Sequence, residues 1–287
     1  MDNFKIGVIV DSFGTGFKDG VKKAVQVKAE GIQMYAVSGE MSPQELTPSK
    51  IAEVRQYIKD NGLKISALCG DLGGYGFSRE EENAEKVEKS KRIVDLALEL
   101  GTNIVTTHIG VIPADKQSKT RDIMAGAVAS LGEYAKKSNA WFAIETGPEP
   151  AAVLNGFLKD LGTGGVGVNF DPANLAMVTG DDPVKAVLTL KDYIVHTHAK
   201  DGVMYKQTDP QIIYDFFAVG GIGDLRLDDY FKEVPLGQGQ VDFDNYLSAL
   251  KSIGYKGYLT IEREVGDNPM EDIAMAVGFL NEKISCL

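Results

Sequence analysis

Short apolar runs alternate with longer amphipathic stretches from one end of this chain to the other. That alternation restricts the fold more than any other feature. The strand candidates are residues 4–10 (FKIGVIV), 31–37 (GIQMYAV), 64–70 (KISALCG), 103–109 (NIVTTHI), 140–146 (AWFAIET), 166–171 (VGVNFD), 193–199 (YIVHTHA) and 258–264 (YLTIERE). Helix-like stretches lie between them. In residues 79–101, Val87, Ile93, Val94, Leu96, Ala97 and Leu100 recur at helical spacing, and Gly101 stands where a C-terminal cap belongs. Residues 119–137 form a second such stretch. Strands alternating with helices predict an α/β fold, a parallel sheet with helices outside. Closing eight such units into a (β/α)8 TIM barrel accounts for the length of 287 residues in a single domain.

One segment breaks the rhythm. Residues 201–240 separate the seventh strand from its helix, 242–254. Their glycines, Gly221, Gly223, Gly237 and Gly239, predict a shaped loop rather than a regular element. A lid over a site, a homo-oligomer contact and a family ornament are open alternatives for it.

Charge and composition exclude some partners. A net charge of −11 argues against a nucleic-acid or anionic-membrane surface. Two cysteines are too few for a disulfide framework, which points to a reducing cytoplasm. No basic leader with an apolar run opens the chain, and no run reaches the roughly 18 apolar residues of a membrane span.

In a barrel, alternate strand residues point inward, and those at the C-terminal ends line the mouth. Glu145 shares the inward face of the fifth strand with Ala143, Asp171 that of the sixth with Asn169, and Glu262 that of the eighth with Thr260. The seventh places both His196 and His198 inward. A lone strand-end carboxylate is commonly a helix cap, and Asp171 before Pro172 suits a turn. Three carboxylates at one mouth, however, repel unless a cation or shared protons neutralise them. A set of three oxygens and one nitrogen suits Mn²⁺, Mg²⁺ or Co²⁺, with Zn²⁺ as a further alternative.

The stretches AIETG, NFDPANL, HTHAKD, PLGQGQVDF and GYLTIERE resemble the motifs of the xylose-isomerase-like barrel superfamily, and within it the sugar phosphate isomerases/epimerases. The resemblance runs over the whole chain and implies the barrel closure that periodicity only suggests. It implies one divalent metal ion, Mn²⁺ first, held by Glu145, Asp171, His198 and Glu262, with His196 a layer deeper. It further implies substrate contacts from His108, Asn174 and Lys200. The reaction it implies is isomerisation or epimerisation of a ketose, sugar phosphate or related polyol. Glu145 and Glu262 would exchange a proton beside a carbonyl while the metal stabilises the enediolate. A metal-dependent lyase or dehydratase and a non-catalytic sugar-binding subunit are the alternatives. Two departures concern the substrate. Ketose 3-epimerases of the superfamily show DxxH where this chain has Asn174, and an arginine where HAKDGVMYK offers only lysines. Endonuclease IV, also in the superfamily, needs more histidines than the three present.

Overall fold

The computed structural model describes residues 4–287; residues 1–3, part of the predicted domain and of the leader reading, lie outside the described residues. Eight parallel strands close into a barrel: β1 (Lys5–Ile9), β2 (Gly31–Tyr35), β3 (Lys64–Cys69), β4 (Ile104–Thr107), β5 (Trp141–Glu145), β6 (Val166–Phe170), β7 (Ile194–Ala199) and, after an insertion, β10 (Tyr258–Ile261), which pairs with both β7 and β1. The helices are α1 (Phe17–Gln26), α2 (Pro48–Asp60), α3 (Glu80–Leu100), α4 (Lys119–Lys137), α5 (Ala151–Leu161), the single turn α6 (Pro172–Asn174), α7 (Pro183–Leu190), α8 (Pro210–Val219), α9 (Phe243–Ser252) and α10 (Pro269–Ser285). None of the described helices is long and apolar enough to cross a membrane.

The period of two in the strands explains the layering. Phe142, Ile144, Val168, Phe170, Leu259 and Ile261 are buried in the main apolar cluster, between the strands and the helix layer. Alternate residues face the barrel axis, where the interior near the mouth is polar: Gln33, Thr106, Asn169, His196, His198 and Thr260 are all buried. Helix α3 stops where the sequence predicts, at Gly101, whose φ of 98° is a left-handed conformation that favours glycine.

Strand register sets the heights of the functional side chains. Between β6 and β7 the register shifts at Val168/Asn169, so that Asn169 pairs with His196. Asp171, just past the end of β6, thereby comes level with His198. Across the next pair, Thr260 sits opposite His198, and Glu262 follows two residues later at the rim.

The segment after β7 departs from the expected loop. It carries an antiparallel hairpin, β8 (Asp201–Met204) paired with β9 (Phe231–Val234), with α8 between them. The glycines occupy the turns around these elements instead of making the whole segment irregular: Gly220, Gly221 and Gly223 follow α8, and Gly237 and Gly239 follow β9. Helix α8 buries only Ile213 and leaves Phe217 65% exposed. The start of β8 is fastened to the turn between β9 and α9 by Asp201. Its carboxylate accepts hydrogen bonds from the backbone N–H groups of Gly202, Gly237, Gly239 and Val241 at 2.9–3.1 Å. Gly239 is required there, because a Cβ would stand 2.1 Å from Asp201 Oδ1.

Two predictions follow from these loop anchors. Asp201→Ala leaves four donors without their acceptor, two of those hydrogen bonds being buried. It is expected to destabilise the protein by about 3 kcal/mol or more in urea unfolding, and a change within 0.5 kcal/mol would show the anchor to be unimportant. The second concerns Glu149, in the loop after β5, which is buried and accepts the Ile112 N–H at 3.1 Å. Burial pushes its carboxyl up to about 8 from an ordinary 4.5, despite that hydrogen bond. A carboxyl with a raised folded-state pKa keeps its proton while the unfolded chain loses it, so stability falls as pH rises through that window. Relative to Glu149→Gln, the native protein should lose up to about 1.4 kcal/mol per pH unit between those two values. Parallel thermal melts of the two proteins across that range would expose the error if they ran at a constant separation.

Candidate metal centre

Four consecutive barrel strands deliver one ligand-type side chain each. Glu145 is the last residue of β5, Asp171 follows β6, His198 lies in β7, and Glu262 follows β10. All four are buried, and each offers a ligand atom within 4.8 Å of the others. His198 Nδ1 is at the centre, 3.4 Å from Glu145 Oε1, 3.5 Å from Asp171 Oδ2 and 3.3 Å from Glu262 Oε2.

Asp171 is both a cap and a candidate ligand. Its Oδ1 accepts the Asn174 N–H at 2.8 Å, starting α6. Its Oδ2 is fully buried and has no hydrogen-bond partner among the described residues. Thr146 locks the strand end in both directions: its hydroxyl donates to Asp171 O at 2.9 Å and accepts the Asp171 N–H at 2.8 Å. A buried carboxylate oxygen that accepts no hydrogen bond, with the His198 imidazole 3.5 Å away as its one facing cation, is out of keeping with ordinary interiors. It fits an ion bound by these residues, and three carboxylates with one imidazole form a donor set suited to a hard divalent cation.

The surrounding hydrogen bonds orient the two histidines differently. His198 Nε2–H donates to Gln33 Oε1 at 3.1 Å, and Gln33 passes the chain on through Nε2 to Thr106 Oγ1 at 3.1 Å. That leaves Nδ1 facing the carboxylates. Burial would depress the His198 imidazole, but Glu262 and Glu145 hold it well above its ordinary 6.5. His196 lies one layer deeper. Its Nδ1–H donates to Asn169 Oδ1 at 2.8 Å, and its Nε2 accepts from the Thr260 hydroxyl at 3.0 Å. Burial, reinforced by His198, keeps it well below 6.5 and therefore neutral. Asn169 then donates to Glu145 Oε2 at 3.1 Å, so the deeper histidine positions a ligand without belonging to the cluster.

The three expected substrate residues have distinct settings. Lys200 is buried, and its ammonium is 2.9 Å from Glu262 Oε2, bonded to Glu264 and 3.9 Å from Glu233 Oε2. Burial opposes its charge, but Glu262 and Glu264 keep it protonated and well above 10.5. His108 is 28% exposed; its Nδ1 pairs with Asp71 at 3.1 Å and its Nε2 lies 3.7 Å from Glu145 Oε1. Against the effect of burial, Glu145 and Asp71 push it up to about 10. Asn174 donates from Nδ2 to Glu145 Oε1 at 3.1 Å. Gly147, at a φ of 142°, lets the Asn174 side chain approach, since a Cβ there would meet the Asn174 Cβ at 2.5 Å.

Several participants escape the strand-end reading. Gln33 is a lone amide in an otherwise apolar strand, a signal that could have been taken up. Asp71 follows β3 just as Asp171 follows β6, and the same rule would have found it. Tyr214 and Glu233 come from the insertion and carry no local signal. Tyr214 accepts the Gly110 N–H at 3.2 Å and sets its ring edge-on to His108, 6.2 Å between centroids. Glu233 also binds Arg263, which in turn reaches Asp272 at 2.8 Å.

Comparison with known proteins agrees with this architecture. The profile of the xylose isomerase-like TIM barrel family matches residues 21–283. An uncharacterized protein of Methanocaldococcus jannaschii, MJ1311, is 24% identical over 62% of this chain, and the match spans 56% of that protein's length. A xylose isomerase domain protein from Planctomyces limnophilus superposes with a TM-score of 0.79 at 26% identity, covering 98% of this chain and 96% of its own. A D-psicose 3-epimerase, crystallised in the presence of D-fructose, has a TM-score of 0.73 at 16% identity, covering 98% of this chain and 99% of its own, which is a likeness of fold. With eight strands closed around a buried cluster of carboxylates and histidine, and a profile match over nearly its whole length, the chain belongs to the xylose isomerase-like TIM barrel family.

Proposed function

We propose that the protein is a divalent-metal-dependent sugar isomerase or epimerase that moves a proton at the carbon beside a ketose carbonyl. The observation that carries this reading is the convergence of Glu145, Asp171, His198 and Glu262, with the buried Asp171 Oδ2 among them accepting no hydrogen bond from the described residues. The family and the epimerase neighbour support the same chemistry. Mn²⁺ is the first candidate, with Mg²⁺, Co²⁺ and Zn²⁺ behind it; a bound ion would supply a Lewis acid for the carbonyl.

The chain's own groups account for the proton transfers. Glu145 and Glu262 come from β5 and β10, with β6 and β7 between them, and so flank the centre. One would take the proton from the carbon and the other return it. Asn169 and Asn174 fix both oxygens of Glu145 with neutral amides. Glu262 is held instead by the Lys200 ammonium. Lys200 acts through Glu262, and His108, beside Glu145 and partly exposed, is the better placed of the two to donate to a substrate oxygen. Elimination is the second reading, because it too begins with abstraction of a proton beside a carbonyl. Loss of a substrate C–H proton into D₂O, followed by NMR with Mn²⁺ and a panel of ketoses and inososes, separates inversion, water loss and no turnover.

The glutamates should differ from the rest of the site in that assay. Glu145→Gln and Glu262→Gln are each expected to lower exchange by roughly 10²–10⁴-fold while the protein stays folded. Metal content is measured alongside, and native exchange in a metal-loaded variant would remove that glutamate from the pair.

Metal binding gives a separate check. Against the effect of burial, Glu262 and Glu145 favour the charged His198 imidazole in the metal-free protein. An ion taking Nδ1 must displace that proton, so affinity for Mn²⁺ should weaken as pH falls. Calorimetry in buffers of different ionisation enthalpy is expected to show proton release, greatly reduced affinity in His198→Ala, and retained binding in a folded His196→Ala. Loss of binding in the His196 variant alone would shift the ligand set by two residues.

A further inference from the structure

We infer that Tyr214, carried by the insertion, is a positioning residue: it latches α8 onto the loop after β4 and sets the tilt of the His108 ring. The geometric part stands apart from the reaction, and only its kinetic consequence rests on the proposed function.

The loop after β4 is held from three directions immediately beyond His108. Ile109 O accepts the Phe77 N–H at 2.8 Å, from the loop after β3. Gly110 N–H donates to the Tyr214 hydroxyl at 3.2 Å, from the insertion. Ile112 N–H donates to Glu149 Oε2 at 3.1 Å, from the loop after β5. The first and last ties come from the neighbouring barrel loops. The middle one comes from a residue 104 positions away. At Gly110 the backbone is left-handed, with a φ of 99°, and a Cβ there would stand 3.0 Å from Tyr75 O.

The insertion depends on the same contact. Its stem closes at Tyr230 O, which accepts the Tyr205 and Lys206 N–H groups at 2.7 and 3.0 Å. Beyond that stem, the bond from Gly110 to Tyr214 is the one hydrogen bond or ion pair tying residues 206–229 to the barrel among the described residues. Packing adds little. Ile213 is the buried residue of α8, and Phe217 points to solvent. A cavity of about 270 Å³ lies between Gln211 and Tyr214 on the helix and Tyr75, Ser78, Val111 and Pro113 on the barrel. One apolar side chain and one hydroxyl therefore seat the helix.

Tyr214 also meets His108 itself. The two rings form an edge-to-face pair, 6.2 Å between centroids with planes at 64°. Asp71 at 3.1 Å and Glu145 at 3.7 Å act on the two ring nitrogens, whose bonding directions lie in the imidazole plane. Those contacts hold the nitrogens, and the Tyr214 ring packs across them to fix the tilt.

With three histidines in the chain, each imidazole can be followed by itself. The test uses the ¹⁵N-labelled full chain in the presence of Mg²⁺. Tyr214→Phe keeps the ring and loses the hydroxyl, so amide exchange at Gly110 is expected to quicken by roughly tenfold. Tyr214→Ala, or Tyr214→Leu if that variant does not fold, should also move the His108 imidazole signals and leave those of His196 and His198 in place. Phe217→Ser, on the exposed side of the same helix, should change none of these. Native exchange at Gly110 in Tyr214→Phe overturns the inference, as does an unmoved His108 in Tyr214→Ala or equal movement of all three histidines. A His108 shift of the same size in Phe217→Ser overturns it too. In the D₂O assay with Mn²⁺ and ketoses, Tyr214→Ala should lower kcat/KM roughly tenfold, mainly through KM, with native Mn²⁺ affinity. Made on His108→Gln, where no imidazole is left to position, the same substitution should cost about twofold or less. No loss, or equal losses in the two backgrounds, overturns the positioning role. If no ketose exchanges, the isomerase reading fails, and the amide and imidazole measurements decide the inference by themselves.

Discussion

Three carboxylates are buried around one histidine at the barrel mouth, and their mutual repulsion is the constraint on which the rest of the site depends. With ligand atoms within 4.8 Å of one another the like charges oppose each other, and burial raises the Asp171 carboxyl above its ordinary range. The surrounding structure answers each charge separately. Glu145 receives two neutral amides, Asp171 a backbone N–H on one oxygen only, and Glu262 the ammonium of Lys200. The oxygen left over, Asp171 Oδ2, and the His198 Nδ1 that faces all three carboxylates are where a divalent ion lowers the energy most. The cluster is thus arranged at some expense of folding stability, which a bound ion would return.

The depth of the network explains why two histidines so close in sequence have opposite electrostatic characters. Their side chains share one face of β7, but two residues of strand rise place His198 among carboxylates and His196 between Asn169 and Thr260. The neutral His196 donates to Asn169, and Asn169 donates to Glu145. A proton at His196 would reverse the Thr260 contact from acceptor to donor and place a charge beside His198. Burial and the His198 charge oppose that proton. Orientation is therefore passed from the barrel interior to Glu145 by groups that do not change charge.

What could be read from the sequence, and what could not, follows from how local each determinant is. Side-chain parity in a strand is local, so the inward positions of Glu145, Asp171, His198 and Glu262 were legible, and the structure does bring these four together. The helix ends at Gly101 and Asp242 were legible for the same reason. The insertion was not. Strands β8 and β9 are four residues each and pair across a gap that no local period reveals, and α8 is apolar apart from Gln211 and Asp215. Parity also placed Lys200 inward, but its partners Glu233 and Glu264 come from the insertion and from the rim beyond β10. A lysine expected to meet substrate is thereby already surrounded by glutamates.

The insertion consequently does more than extend a loop. It supplies Glu233, which pairs with Arg263 and accepts the Glu264 N–H, tying the rim after β10 to β9. It supplies Tyr214, which closes the β4 side by accepting the Gly110 N–H next to His108. Asp201 anchors its base with four backbone hydrogen bonds. Glu262, through Lys200, on one side of the centre and His108 on the other are thus both braced by one segment. That arrangement makes the geometry of the pair depend on whether the hairpin is seated. It also accounts for the polarity of the rim: the segment brings Glu233 to Lys200 and Arg263, so that each of these buried cations meets a carboxylate of the insertion.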